Sequence, residues 1–123
     1  MKALHKMYID FCYGALEGLF VAEKEYVDYL TSHKIEVYFG EILGKHSEIS
    51  GCIEPAEIKL ITDDEKVIEI IEKYELESGY NPLDQLVGAD TDDIPDIGFE
   101  WEYNGTVREF IDYKLHGTIP NAD

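Results

Sequence analysis

Apolar and polar positions alternate in several segments of the chain, and this period predicts β-strands. Between residues 6 and 13, and again in residues 35–43 and 49–53, apolar side chains recur at every second position. A period of two is typical of half-buried strands, and the β-branched and aromatic content of these segments agrees with it. Ile58 and Leu60 predict a further short extended segment. The pattern therefore predicts a mainly antiparallel sheet in which residues 44–48 link two strands.

The segment after the first predicted strand allows two interpretations. Gly14 and Gly18 bracket a predicted turn, after which residues 19–21 continue a hairpin. The rival interpretation makes residues 6–31 largely helical, since each glycine costs only about 1 kcal/mol in a helix. We favour strands followed by a first helix over about residues 23–31, which buries Tyr26, Val27 and Leu30 on one face.

A second helix is predicted over about residues 63–77. Thr62 and Glu65 have the spacing of a capping box, in which the hydroxyl accepts the amide of Glu65 and the glutamate reaches back. Gly79 and the Asn81-Pro82 pair mark the exit of the chain from this helix. The predicted buried stripe consists of Val67, Ile70, Ile71 and Tyr74.

The remainder of the chain is predicted to contain a long acidic loop, over about residues 79–97, and a C-terminal hairpin, over about residues 98–115. Loops of this length in compact domains tend to be functional or mobile. In the hairpin, aromatic residues alternate with glutamates before an Asn104-Gly105 turn. One register places Trp101 opposite Arg108. Another pairs Glu102 with Arg108 and Phe99 with Ile111, and the pattern does not decide between them.

These elements predict a single α+β domain. A chain of 123 residues is the size of one ordinary domain. Its 45% apolar and 12% aromatic residues supply a core in spite of the high net charge. The aromatic residues and short strands are also compatible with a symmetric homodimer.

The charge of the chain is strongly negative. Its 27 Asp and Glu residues outnumber 10 Lys and Arg residues, which gives a formal net charge of −17. Direct binding to nucleic acid is disfavoured, because it depends on clusters of Lys and Arg that release counterions. The field attracts basic surfaces instead, including the phosphate-binding grooves of nucleic-acid enzymes. The competing explanation is that the charge serves only solubility.

The sequence also bears on the compartment. Cys12 and Cys52 have no C-x-x-C spacing and lie in apolar or β-like contexts, which favours buried thiols and a reducing environment. No signal segment is recognisable near Met1, and no apolar run approaches the roughly 20 residues of a membrane span. We therefore expect a cytoplasmic protein without membrane contact.

A Lys-His-Ser triplet after a glycine is a candidate anion site. Gly44, Lys45, His46 and Ser47 could offer a phosphate or carboxylate group backbone amides, an ammonium, an imidazole and a hydroxyl. The spacing excludes a P-loop, because Gly40 is one residue too close to Gly44 and His46 separates Lys45 from Ser47. The structural alternative is an ordinary turn with solvated side chains.

No catalytic residue, metal site or cofactor is predicted. His46 and Ser47 are adjacent, and adjacent residues usually point apart, so no nucleophile with its base is recognisable. Glu41 and Glu48 could approach each other across a hairpin, but chance carboxylate pairs are expected in so acidic a chain. The four histidines are scattered along the sequence, which argues against zinc.

Two segments resemble small acidic proteins of phages and other mobile elements that have no characterised family. The segments are residues 18–22 and residues 37–48, the latter containing G-E-I-L-G-K-H-S-E, and together they cover 17 of the 123 residues. The resemblance implies no fold, activity or site residue. It implies a context, since such proteins are often inhibitors of host defence or of host nucleic-acid enzymes, and it would place this chain in the bacterial host cytoplasm.

Two hypotheses of function follow from the sequence. The first is a non-enzymatic acidic inhibitor that docks on a basic, nucleic-acid-binding surface of a host protein and imitates nucleic-acid charge. It requires the carboxylates to form a coherent patch, with Asp63, Asp64, Glu65, Glu69, Glu72, Asp90, Asp92, Asp93 and Asp96 as the candidate surface. The second is a small-ligand binder that captures a phosphorylated metabolite or signalling nucleotide at Lys45, His46 and Ser47, with help from Tyr38 or Trp101.

Overall fold

A computed structural model describes residues 1–11, 14–41 and 48–120 and has the α+β fold that the sequence predicts. Within these residues, ten elements form two antiparallel sheets with helices packed against them. The sheet orders are β5-β1-β2-β6 and β4-β3-β7. The strands are β1 (Lys2–Phe11), β2 (Gly14–Glu23), β3 (Glu36–Glu41), β4 (Glu48–Cys52), β5 (Ile58–Thr62), β6 (Ser78–Gly79) and β7 (Leu86–Val87), and the helices are α1 (Lys24–Ser32), α2 (Glu65–Lys73) and α3 (Val107–His116).

The first two strands form a long hairpin, so the rival helical interpretation of residues 6–31 is wrong. Their register runs from Lys2 opposite Glu23 to Phe11 opposite Gly14. Gly18 lies within β2 and not in the predicted turn. A Cβ atom at Gly18 would stand 1.8 Å from the carbonyl oxygen of Tyr80, so glycine is needed where the residue that follows β6 lies against β2.

The first helix and the central strand pair agree with the sequence pattern. In α1, Val27 and Leu30 are buried, whereas Tyr26 is only half-buried and its hydroxyl donates to Asp112 on α3. Strands β3 and β4 pair antiparallel, with a register irregularity between Tyr38 and Gly40. Residues 42–47, which include the end of the predicted strand and its connection, lie outside the described residues.

Cys52 contradicts the expectation of buried thiols. It occupies the last position of β4 and its side chain is exposed, because only one face of this strand packs against the core. Its pKa is nevertheless raised, mainly by partial burial. Cys12 lies outside the described residues.

Helix α2 exists, but its start and its buried face differ from the prediction. The N-cap is Asp64, whose carboxylate accepts from the Lys66 amide at 2.9 Å, while Thr62 accepts only from the Asp64 amide. The helix ends at Lys73, followed by Glu75 with a φ of 51°. Its buried residues are Ile68 and Ile71. Of the predicted stripe only Ile71 is buried, whereas Val67, Ile70 and Tyr74 are 37%, 51% and 61% exposed.

The prediction of a C-terminal hairpin was wrong. Residues Val107–His116 form α3, so neither predicted register exists and there are three helices within the described residues instead of two. Thr106 and Glu109 make a reciprocal capping box, with Thr106 Oγ1 accepting from the Glu109 amide at 3.1 Å and Glu109 Oε1 accepting from the Thr106 amide at 2.9 Å. Gly117, in the left-handed conformation, ends the helix. Hydrogen bonding and a period of 3.6 therefore outweigh the β propensity of this segment.

The main core lies between the two sheets and helices α1 and α3, and α2 packs outside it. The inward residues of the first hairpin, including Met7, Leu16 and Phe20, join this core. On the opposite side of the same hairpin, Leu4 forms a small separate cluster with Ile68 and Ile71 of α2. Because successive side chains of a strand point to opposite faces, α2 and the main core lie on opposite faces of this sheet.

The predicted acidic loop is partly regular structure. It includes β6, a 3₁₀ turn at Pro82–Asp84, and β7, which pairs with β3. Thr91 is 7% exposed and its hydroxyl accepts from the Glu36 amide at 2.9 Å. The part without regular structure therefore begins after β7 and is held to the core by its buried residues.

Candidate functional site

The predicted anion turn cannot be placed, because Gly44, Lys45, His46 and Ser47 lie outside the described residues. The strand ends that flank it are described, and they place Glu41 directly opposite Glu48. Glu48 also accepts a hydrogen bond from the Tyr38 hydroxyl at 2.8 Å, and this bond is the main cause of the raised pKa of Tyr38. Two carboxylates next to this segment oppose the binding of an anion there.

The carboxylates of the capped helix are interleaved with lysines. Asp63 forms an ion pair with Lys24 at 2.6 Å, which holds the pKa of Asp63 below its usual value. Glu72 forms an ion pair with Lys2 at 2.8 Å, which raises the pKa of the lysine. Asp64 is occupied as the N-cap of α2. The α2 part of the candidate surface is therefore partly neutralised.

The carboxylates of the acidic loop have a different environment. Hydrogen bonds of the main chain hold this loop: the Asp92 amide donates to the Lys34 carbonyl at 2.9 Å, and Lys114 Nζ donates to the Asp93 carbonyl at 2.7 Å. Among the described residues, the side chains of Asp90, Asp92, Asp93 and Asp96 form no ion pair. Their negative charges therefore remain available to a partner.

The nine predicted carboxylates do not form one patch. Helix α2 lies on the outer face of the first sheet, whereas Ile94 and Ile97 of the loop pack against the main core on the other side. The candidate surface thus consists of two separate groups. Both adjoin a concave surface, but the cavity at α2 is lined by Lys2 as well as by Glu65, Glu69 and Glu72, whereas the described lining beside the loop contains no cationic side chain.

That concave surface is a groove of about 480 Å³ next to the acidic loop. We call it the acidic groove. Its lining contains three carboxylates and three aromatic rings, and no lysine, arginine or histidine among the described residues. The lining residues are Ile94, Pro95, Asp96, Phe99, Glu100, Trp101, Glu102 and Tyr103.

Aromatic packing gives the acidic groove a fixed floor. The Trp101 ring is 1% exposed and meets Phe99 and Phe110 edge to face, with ring centroids 4.8 and 5.4 Å apart. Tyr103 is 49% exposed and packs edge to face on Tyr38 at 4.9 Å. Edge-to-face pairs of this kind stabilise their arrangement beyond simple burial, so the groove is positioned by the core.

Sequence reasoning identified Asp96 but missed most of the acidic groove. Glu100 and Glu102 were assigned to a hairpin strand, where they would have faced away from the aromatic residues. In the structure Tyr103 has a φ of 59°, and the Trp101 carbonyl accepts from the Gly105 amide at 3.0 Å, so residues 101–105 turn into α3. The available signal was the Thr106-x-x-Glu109 capping box, which marks the start of a helix.

The described part of the chain contains neither a metal-binding cluster nor a membrane-spanning helix. No group of three or more His, Cys, Asp or Glu side chains there could hold a metal ion. None of the described helices is both long and apolar enough to cross a membrane.

Comparisons with known proteins identify no relative of this chain. No protein-family model matches the chain, and no curated protein or solved structure shows significant similarity to it. The residues of the acidic groove and the charge around it therefore carry the functional argument.

Proposed function

We propose that the protein is a non-enzymatic acidic binding protein that docks on a basic surface of another protein. The observation that carries the proposal is the acidic groove, where Asp96, Glu100 and Glu102 line a cavity with three aromatic residues and, among the described residues, no cationic side chain. The resemblance of residues 18–22 and 37–48 to small acidic phage proteins supports a host nucleic-acid-binding or defence protein as the partner.

The chemistry of the acidic groove suits a lysine or arginine side chain. A carboxylate and a cationic nitrogen form hydrogen bonds about twice as strong as neutral ones. An aromatic face next to the cation adds about 0.5–2 kcal/mol. Tyr103, half exposed at the rim, and Phe99, half buried, can supply such faces.

The overall charge contributes a separate, long-range effect. A net charge of −17 speeds encounter with a basic surface and makes binding depend on salt. The local and the long-range effects can be separated with two variants of equal charge. One variant neutralises the groove (Asp96→Asn, Glu100→Gln, Glu102→Gln), and its control neutralises α2 (Glu65→Gln, Glu69→Gln, Glu72→Gln).

The test is the affinity of each variant for a short peptide of arginine and serine, measured by calorimetry at about 0.05 and about 0.5 M salt. We expect the groove variant to bind at least roughly tenfold more weakly, a loss of about 1.4 kcal/mol, and the α2 variant to stay within about threefold of the parent. Equal weakening in both variants would show that the acidic groove is not the binding site. Binding that is insensitive to salt would overturn the charge-based proposal as a whole.

The natural partner is sought by the same comparison. The parent protein and the groove variant are each used to capture proteins from a bacterial lysate at low salt. The proposal expects a basic protein that the parent retains and the groove variant loses. Retention of the same proteins by both variants would count against it.

A further inference from the structure

A second cavity, separate from the acidic groove, lies between α1 and β5. It has a volume of about 230 Å³, and its floor includes His5 of β1. Its lining residues are His5, Lys24, Val27, Asp28, Thr31, Pro55, Ile58 and Leu60. The volume is below the roughly 300–1,000 Å³ of sites for drug-sized ligands, so only a small molecule or a single side chain would fit.

His5 is one of two described residues, with Trp101, that bury a side-chain polar atom without a hydrogen-bond partner. Its side chain is 2% exposed, stacks on Phe20 with ring centroids 5.5 Å apart, and has no hydrogen-bond partner at Nδ1. Burial is the main cause of the lowered pKa of His5, so the imidazole is neutral at neutral pH. A buried polar group without a partner is costly in a stable fold, and His5 is among the residues that line this cavity.

The two charged residues that line this cavity differ in whether they already have an ion-pair partner. Lys24 is already held by Asp63 at 2.6 Å. Asp28, one helical turn further along α1, forms no ion pair within the described residues, although it is near enough to His5 to affect the imidazole. Of these two charged groups, only the Asp28 carboxylate lacks an ion-pair partner within the described residues.

The remaining lining complements a cation with an apolar body. Thr31 donates its hydroxyl hydrogen to the Val27 carbonyl at 3.1 Å, which leaves the oxygen lone pairs free to accept. Val27, Ile58 and Leu60 supply apolar walls. A carboxylate ligand would have to displace Asp63 from Lys24 and to overcome a net charge of −17.

We propose that this cavity binds a short primary alkylammonium group, with the ammonium at Asp28 and Thr31 and the alkyl chain against the apolar walls. The group can belong to a free amine or to a lysine side chain. This site does not depend on the function proposed for the acidic groove, since the two share no lining residue.

The test is an NMR titration of the whole protein with n-butylamine near neutral pH, following the amides of Val27, Asp28 and Thr31. We expect saturable shifts at these residues. Asp28→Asn is expected to weaken binding at least roughly tenfold. The matched control is Glu25→Gln, which removes the same charge from an exposed position of the same helix outside the cavity lining and should leave the affinity unchanged.

Three further probes define the chemistry. Butyrate has the same alkyl body with the opposite charge, and tetrabutylammonium has the right charge but exceeds the cavity, so neither should bind. Nα-acetyl-lysine amide binding at least as tightly as n-butylamine would identify a protein lysine as the source, and weaker binding would identify a free amine. Non-saturating shifts, equal effects of the two variants, or equal binding of butyrate would overturn the proposal.

Discussion

Helix α2 and the acidic loop both contribute carboxylates to the surface, but the two regions hold their charge differently. Around α2, Lys2 and Lys24 form ion pairs with Glu72 and Asp63, while Glu65 and Glu69 form none within the described residues. In the loop, the carboxylates from Asp90 to Asp96 form no ion pair within the described residues, and Asp96 joins an aromatic groove. A count of acidic residues therefore does not locate a binding surface, because pairing with lysine decides how much charge is available.

The two regions also differ in how they are attached to the molecule. The acidic groove rests on Trp101 in the main core, whereas α2 is attached through Ile68 and Ile71 to a small cluster with Leu4. A groove built on the main core keeps its shape while its charges remain free. Helix α2 packs against far fewer buried residues than the groove does. Its outer apolar residues stay exposed.

The largest expected effect tests this difference in attachment. Trp101→Ala should cost about 3–5 kcal/mol of unfolding free energy, because a large ring that contacts Phe99 and Phe110 is replaced by a cavity. Ile68→Ala should cost about 2 kcal/mol, the low end for isoleucine, because the small cluster can collapse around the gap. Urea unfolding of both variants measures the two losses. An equal cost at both positions would show that α2 is as firmly packed as the groove floor.

The next largest expected effect is the loss of unfolding free energy when the N-terminal cap of α3 or α2 is removed. Thr106→Ala should cost about 1 kcal/mol, because the capping box of α3 loses its hydroxyl. Asp64→Ala should cost a similar amount at α2, whereas Thr62→Ala should cost less, since Thr62 is not the cap. Thr106→Ser serves as the control that keeps the hydroxyl. Thermal unfolding in which Thr62→Ala is the most damaging substitution would contradict the observed start of α2.

The smallest expected effect is the change in melting temperature when a single carboxylate is neutralised, and the two regions should differ in the sign of that change. Asp63→Asn should slightly lower the melting temperature because it removes an attraction to Lys24. Asp92→Asn should leave it unchanged or raise it, because it removes an unpaired negative charge from an acidic protein. Since the pKa of Asp63 is lowered from 3.8 in the fold, its contribution is present above about pH 4 and is lost as the pH falls through the folded value. Scanning calorimetry at several pH values and in high salt measures these differences, and the same sign for both variants would remove the distinction between the regions.

Several elements could be predicted because their signals are local. The alternation of residues 6–13 and 35–43 predicted strands where the described residues form β1 and β3, and the apolar spacing of residues 26–30 predicted α1. The C-terminal segment failed because alternating aromatic residues before Asn104-Gly105 suggested a hairpin. The competing signal, the Thr106 capping box with buried Val107, Phe110 and Ile111, belonged to a helix.

The buried face of α2 could not be predicted from its pattern. Apolar residues occur at positions 67, 68, 70, 71 and 74, so the helix offers more than one apolar face. Docking against Leu4 selects Ile68 and Ile71 and leaves Val67, Ile70 and Tyr74 outside. That choice depends on a strand more than sixty residues away in the chain.

Local sequence signals were sufficient for the α+β class, for most strands, and for the negative character of the surface, because periodicity and composition act within a few residues or over the whole chain. Tertiary structure decided which carboxylates remain free. The partners in the two ion pairs at α2 are separated by 70 and 39 positions, and the aromatic floor of the acidic groove joins residues from the loop and from α3. Coulomb attraction and packing act at distances of a few ångströms, so only the folded chain brings these groups close enough to interact.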